Sequence, residues 1–175
     1  MGMKSTSTRY GSMAITIHWT SALAVVLAFI AGLALANAAT VTVPLLVAHI
    51  VLGVSVLLLT LLRIVWWLAA GDRPPLPADQ PRLQQVAAKT VHTLLYVILI
   101  VMAWSGIATI VTSGAIAALA SGASLPDFSE VLPRLAHGIM SKVLLVLLAG
   151  HIGAALYHQF IRRDRLLARM GIGRA

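Results

Sequence analysis

The 175-residue chain is 59% hydrophobic and 10% charged, with a mean hydropathy of +0.93, against roughly 45–50% apolar and about 25% charged residues in a soluble domain. This excludes an ordinary water-soluble fold, and at about 20 apolar residues per bilayer crossing the length provides for four or five membrane helices in one domain spanning 1–175. A net charge of +8, from 13 Lys and Arg against 5 Asp and Glu, suits the positively charged loops of a multi-pass membrane protein, with no nucleic-acid partner implied.

A polar head with Lys4 and Arg9 leads into the first predicted helix, 13–38, an apolar run without a charge. Leu35-Ala36-Asn37-Ala38 resembles the small-residue cleavage site of a signal peptide. The run before it is longer than the 7–15 residues typical of such a segment, so it reads as an uncleaved helix. Thr40 to Pro44 form a break. The second helix, 45–68, ends in Arg63, Trp66 and Trp67, a charged and aromatic border of headgroup type. The segment 71–82 holds 4 of the 7 prolines and reads as an extended exposed linker. The third helix covers 83–112. Residues 113–133, rich in Gly, Ala and Ser, read as a loop with a short surface helix over 116–120. The fourth helix, 134–161, is followed by a basic tail, 162–175.

Eleven of the 13 Lys and Arg fall in the head, around the 71–82 linker or in the tail, leaving Arg134 and Lys142 toward the other side. The positive-inside rule then makes both termini and the linker cytoplasmic, which requires an even number of crossings, and four fit.

The absence of Cys excludes disulfides, iron–sulfur clusters, thiolate zinc sites and covalently attached haem, so His, Met or carboxylates must hold any cofactor. All six histidines, His18, His49, His92, His137, His151 and His158, fall within or at the edge of an apolar helix. Such side chains are costly in a membrane and tend to face the bundle interior at a pathway or site. A single one is readily explained by a bond to a neighbouring carbonyl; six over four helices are not. His137 and His151 are 14 residues apart, close to four turns, so both leave one face about 21 Å apart. That is too far for one metal ion and suits two stacked sites. By depth in an up-down bundle, His49 can meet His137 in an outer layer and His18 can meet His151 in an inner one. Two such pairs are what two bis-histidine b-type haems need.

Gly32, Gly53 and Gly106 are places where a flat macrocycle approaches a helix, or where helices pack closely. His92 and His158, at the cytoplasmic edge, have three readings: ligation of the inner haem in place of His18, proton donation to a quinone, or a place in the headgroup region. Lys142, about 140° around the helix from His137, either snorkels to the outer interface or sets a positive charge beside the outer site. A haem-free metal or proton transporter fits poorly, because the histidines form stacked pairs and no Asp or Glu lies in a predicted helix.

Tyr10 followed by AITIHW, AHIVLGVSVLLLTLLRIVW, VHTLLYVILI, and above all HGIMSKVLLVLLAGHIGAALYHQFIRRDRLLARM resemble the bacterial cytochrome b561 family, including its superoxide oxidase type. The likeness covers nearly the whole chain. It departs where Ala103 and Trp104 stand in place of a proline common before Gly106, and at Lys142. The cytochrome b subunits of formate dehydrogenase and nickel–iron hydrogenase share the pairing logic. The resemblance implies an all-α, four-transmembrane-helix bundle with two stacked noncovalent b-type haems. His18 and His151 would ligate the inner iron, His49 and His137 the outer iron, and His92 and His158 would line a ubiquinone site. It further implies superoxide oxidation coupled to ubiquinone reduction, or alternatively a membrane subunit linking a periplasmic electron donor to the quinone pool.

Overall fold

Four long helices carry most of the chain in the computed structural model, which describes residues 2–70, 73–75 and 80–173. They are α1 (Ser12–Asn37), α2 (Val43–Ala70), α3 (Arg82–Thr112) and α5 (Leu132–Leu156), the last continued by a wider π-helical turn, Tyr157–Arg162. Short helices α4 (Ala115–Ser121) and α6 (Leu166–Arg169) complete the set, and no strand occurs among the described residues. All four long segments, the fourth taken through Arg162, are long and apolar enough to cross a bilayer.

The expected boundaries hold to within about two residues. Pro44, read as part of a break, lies in the first turn of α2, and Pro133 lies in the first turn of α5. A proline there forfeits no helical hydrogen bond, because the first-turn amides have no intrahelical acceptor. The short surface helix forms between Gly114 at φ 79° and Gly122 at φ 70°, left-handed positions that glycine occupies without steric cost. Within the expected extended linker, residues 71, 72 and 76–79 lie outside the described residues, as do 174 and 175 of the tail.

In hydrocarbon every backbone polar group must be satisfied within its own segment, which makes the helix the stable form of these runs. Hydroxyls follow the same rule by donating to the carbonyl four residues back: Ser21 to Ile17 at 2.6 Å, Thr60 to Val56 at 2.7 Å and Thr112 to Ala108 at 2.7 Å. Apolar residues such as Leu58, Trp104 and Val146 remain exposed on the outward faces, as expected where lipid is the solvent. α1 packs chiefly on α2 and α3 on α5, with α2 against α3 joining the pairs. Buried Ala24, Val25 and Val56 form the centre of the bundle, with Ala28, Leu59, Leu99 and Leu148 packed around them.

The head, the α2–α3 connection and the tail gather at one end of the bundle, the terminal end. The Tyr10 amide donates to the Arg169 carbonyl at 3.1 Å, Trp19 Nε1 to the Met170 carbonyl at 2.9 Å, and Arg169 Nη2 to the Pro75 carbonyl at 2.6 Å. Tyr10 meets Trp67 edge to face with centroids 5.8 Å apart, and the Arg73 guanidinium lies 4.7 Å over Trp67. The expected basic tail is therefore folded back, with α6 inside it. The opposite, loop end carries the α1–α2 connection, α4 and the segment before α5.

Candidate functional site

Fourteen residues separate His18 from Gly32, His49 from Arg63, His92 from Gly106 and His137 from His151. Four turns of helix put both members of each pair on one face, about 21 Å apart. Up-down packing of α1, α2, α3 and α5 thus builds two polar layers, with the apolar centre between them.

In the loop-end layer His49 of α2 faces His137 of α5, with ring centroids 6.0 Å apart. His49 Nδ1–H donates to the Ala28 carbonyl of α1 at 3.0 Å, and the ring lies against Gly32, where a Cβ would come within 3.0 Å of His49 Cε1. The other helix pair repeats the device. His137 Nδ1–H donates to the Met102 carbonyl of α3 at 3.0 Å, and a Cβ on Gly106 would come within 3.2 Å of His137 Cε1. In each case the accepting carbonyl belongs to the residue four before the glycine. With the proton held on Nδ1, each ring keeps its Nε2 lone pair for a ligand. Gly32 and Gly106, expected to face a macrocycle or a neighbouring helix, make room for imidazole edges from the neighbouring helix; Gly53 faces open space.

A cavity of about 1050 Å³ adjoins this pair, lined among others by His49, Gly53, Gly106, Asp127, Arg134 and His137. In its loop wall, the Ser129 amide and hydroxyl each donate to the Asp127 carboxylate at 2.9 Å, with the amide foremost in holding that carboxyl below its usual pKa.

The terminal-end layer gathers His18 of α1, Arg63 of α2, and His92 and His151 of α3 and α5. His151 lies 6.4 Å from His18 and 5.1 Å from His92 between centroids. His92 Nδ1–H donates to its own helix at the Ala88 carbonyl, 2.6 Å away. Arg63 Nη1 donates to His18 Nδ1 at 2.9 Å, and its guanidinium lies 5.7 Å from the centre of the Tyr96 ring. A neutral His18 accepting at Nδ1 carries its proton on Nε2, the reverse of the arrangement at His49 and His137.

Arg63 was grouped with the border charges in the sequence; its 14-residue spacing from His49 was the signal that it belongs to this layer. His158, two turns beyond His151, is buried and donates from Nδ1 to Asp164 Oδ2 at 2.5 Å. Asp164 was likewise hidden in a run of arginines. Lys142 is exposed, on an outward patch with Val143, Val146 and Leu147.

The donor set can be tested against a haem. Two metal–nitrogen bonds of about 2 Å plus the half-widths of two imidazoles give centroids about 6 Å apart, and the two expected pairs stand at 6.0 and 6.4 Å. Among the described residues no group of three or more His, Asp or Glu is arranged to hold a bare metal ion. Paired imidazoles suit an iron whose remaining positions are filled by a macrocycle, so the residues fit the group.

Comparison with known proteins agrees. Residues 9–173 match the family described as prokaryotic cytochrome b561. The chain is 28% identical over 185 aligned positions to cytochrome b561 homolog 2 of Escherichia coli (strain K12), covering 97% of this chain and 95% of that protein. It is 31% identical over 103 positions to cytochrome b561 homolog 1 of the same organism, covering 55% and 58% of the two chains. Four membrane-type helices, two layers of histidine and this match along nearly the whole length lead to one conclusion: the chain belongs to the prokaryotic cytochrome b561 family, membrane proteins that bind b-type haem and transfer electrons across the bilayer.

Proposed function

We propose that this protein oxidises superoxide at its loop end and reduces ubiquinone at its terminal end. The loop end would face the periplasm of a bacterium, and both termini the cytoplasm, with the chain acting as one domain in the inner membrane. The observation that carries the reading is the matched pair His49 and His137, each with Nδ1–H tied to a carbonyl and Nε2 left for iron. In this reading His49 and His137 hold the outer haem, and His18 and His151 the inner one. A b-type haem at each layer supplies one-electron redox chemistry at its iron.

The chain's own residues do the rest. Ala28 and Met102 fix the tautomers of the outer pair. Release of His18 by Arg63 frees its Nδ1 to carry the proton, so that Nε2 can bind metal. Arg134, in the wall of the loop-end cavity, offers a cation to an anionic donor such as superoxide. His92 and His158 bound the quinone site at the terminal end and offer it ring N–H donors.

A reduced-minus-oxidised absorption spectrum of the purified protein is expected to show a b-type haem signal. His18→Ala and His49→Ala should each abolish a different haem. Absence of the signal, or retention of both haems in either variant, overturns the ligand assignment. The protein alone should consume superoxide only when a short-chain ubiquinone is present. Quinone reduction that appears only after a periplasmic redox protein is added would instead make the chain a membrane electron-transfer subunit.

A further inference from the structure

The end of α5 departs from regular helix where a simpler ending was available. Tyr157–Arg162 widens into a π-helical turn, and Arg163 and Arg165 follow at φ 56° and 57°. Left-handed backbone is uncommon outside glycine and concentrates at functional sites. The detour brings the chain back on itself: the Asp164 amide donates to the His158 carbonyl at 3.3 Å, and Asp164 Oδ2 accepts from His158 Nδ1–H at 2.5 Å. His158 is 8% exposed, and the other carboxylate oxygen of Asp164 is also buried, without a hydrogen-bond partner.

A carboxylate on Nδ1 does two things to an imidazole. It leaves Nε2 as the one ring nitrogen free to exchange a proton with a ligand, and it stabilises the imidazolium. His158 lies seven residues beyond His151, about 10 Å further along the helix, toward the folded head and tail. The pair therefore stands between the terminal-end histidine layer and water.

We propose that His158 and Asp164 form a proton-delivery dyad for a quinone-class acceptor. His158 Nε2 would hydrogen-bond one carbonyl oxygen, and Asp164 is the positioning residue that fixes the ring and balances its charge. The proposal rests on the quinone reading above. The acceptor takes two electrons, supplied one at a time by the chain's electron-transfer activity, and two protons, so that both C=O groups become C–OH. One proton passes from His158 Nε2 to the carbonyl oxygen it touches and is replaced from water at the terminal end. The other oxygen takes its proton from water.

The test uses full-length holoprotein reduced with just-stoichiometric dithionite, mixed rapidly with a short-chain ubiquinone, with haem reoxidation followed optically over a range of quinone concentrations. Asp164→Asn keeps an oxygen acceptor for Nδ1–H but removes the charge. It is expected to keep the wild-type haem spectrum and half-saturating quinone concentration while the limiting rate falls about 10- to 100-fold, the range typical of losing an outer-shell partner. Asp164→Glu should recover most of that rate. His158→Gln with Asp164→Asn should be no slower than His158→Gln alone, since the two act as one unit. An unchanged limiting rate in Asp164→Asn, or additive losses in the double variant, overturns the dyad. If Asp164→Asn loses its haem spectrum, Asp164→Glu decides: a holoprotein with near-wild-type rate supports the dyad, and one as slow as His158→Gln overturns it. Failure of quinone to reoxidise the wild-type protein would overturn the quinone reading itself, a result distinct from any of these.

Discussion

Gly32→Ala sets a methyl carbon 3.0 Å from His49 Cε1, where carbon atoms in relaxed contact stand about 3.5–4.0 Å apart. The ring must withdraw from α1 by a few tenths of an ångström. Ala28 and Gly32 lie on the same face of α1, so the withdrawal also stretches the Nδ1···O distance from its present 3.0 Å toward the long end of hydrogen-bonding range. Overpacking costs about 1–3 kcal/mol and weakening the hydrogen bond up to about 1 kcal/mol. Together these weaken retention of the proposed loop-end haem by about fivefold to several hundred-fold. Gly106→Ala, with a 3.2 Å approach to His137, should be milder. Gly150→Ala is the control, because its added methyl meets nothing within 4 Å and Gly150 does not line the loop-end cavity. The assay is transfer of haem from each purified variant to excess apomyoglobin, followed optically. One of the two proposed haems should leave Gly32→Ala faster by at least about fivefold, with Gly106→Ala intermediate and Gly150→Ala like wild type. Wild-type retention in Gly32→Ala, or equal loss in Gly150→Ala, would refute the reasoning.

Two further substitutions separate a charge inside the bundle from one outside it. Arg63→Gln removes a cation that lies 2.9 Å from His18 Nδ1, hence at least about 7 Å from a metal bound across that ring once His18 is released. At an effective dielectric of about 20 this amounts to about 2.4 kcal/mol, or about 100 mV, so redox titration should find the terminal-end haem more reducing by up to that amount. An unchanged midpoint would remove Arg63 from the site. Lys142→Met, on the outward face, should move neither midpoint by more than about 30 mV and should leave turnover unchanged. A larger shift at the loop-end haem would show that Lys142 acts there.

The four crossings were legible because a bilayer imposes one length and one solvent on each helix, and that requirement is written in plain hydropathy. The pairing of His49 with His137 and the nearness of His18 to His151 were legible too, since spacing along a helix converts directly to depth. What hydropathy and spacing conceal is direction across the bundle. Gly32 and Gly106 were marked as small, but which group occupies the space beside them depends on the neighbouring helix. Arg63 looked like an interfacial cation because it precedes Trp66 and Trp67, although its distance from His49 gives its layer. The contact of Asp164 with His158 was hidden for another reason. It forms only through a π-helical turn and the left-handed Arg163, and backbone irregularity of that kind leaves no periodic trace.

The apolar centre of the bundle bears on energy conversion. Ala24, Val25, Val56, Leu59, Leu99 and Leu148 separate the two histidine layers, and the nearby hydroxyls of Ser21 and Thr60 are turned back onto their own helices. An electron can tunnel through such a slab, whereas a proton needs a relay of exchangeable groups, which these six side chains do not offer. Each electron crossing it therefore moves as bare charge through a medium of low dielectric. Turnover in sealed vesicles would polarise the membrane, and an opposing voltage would slow the protein.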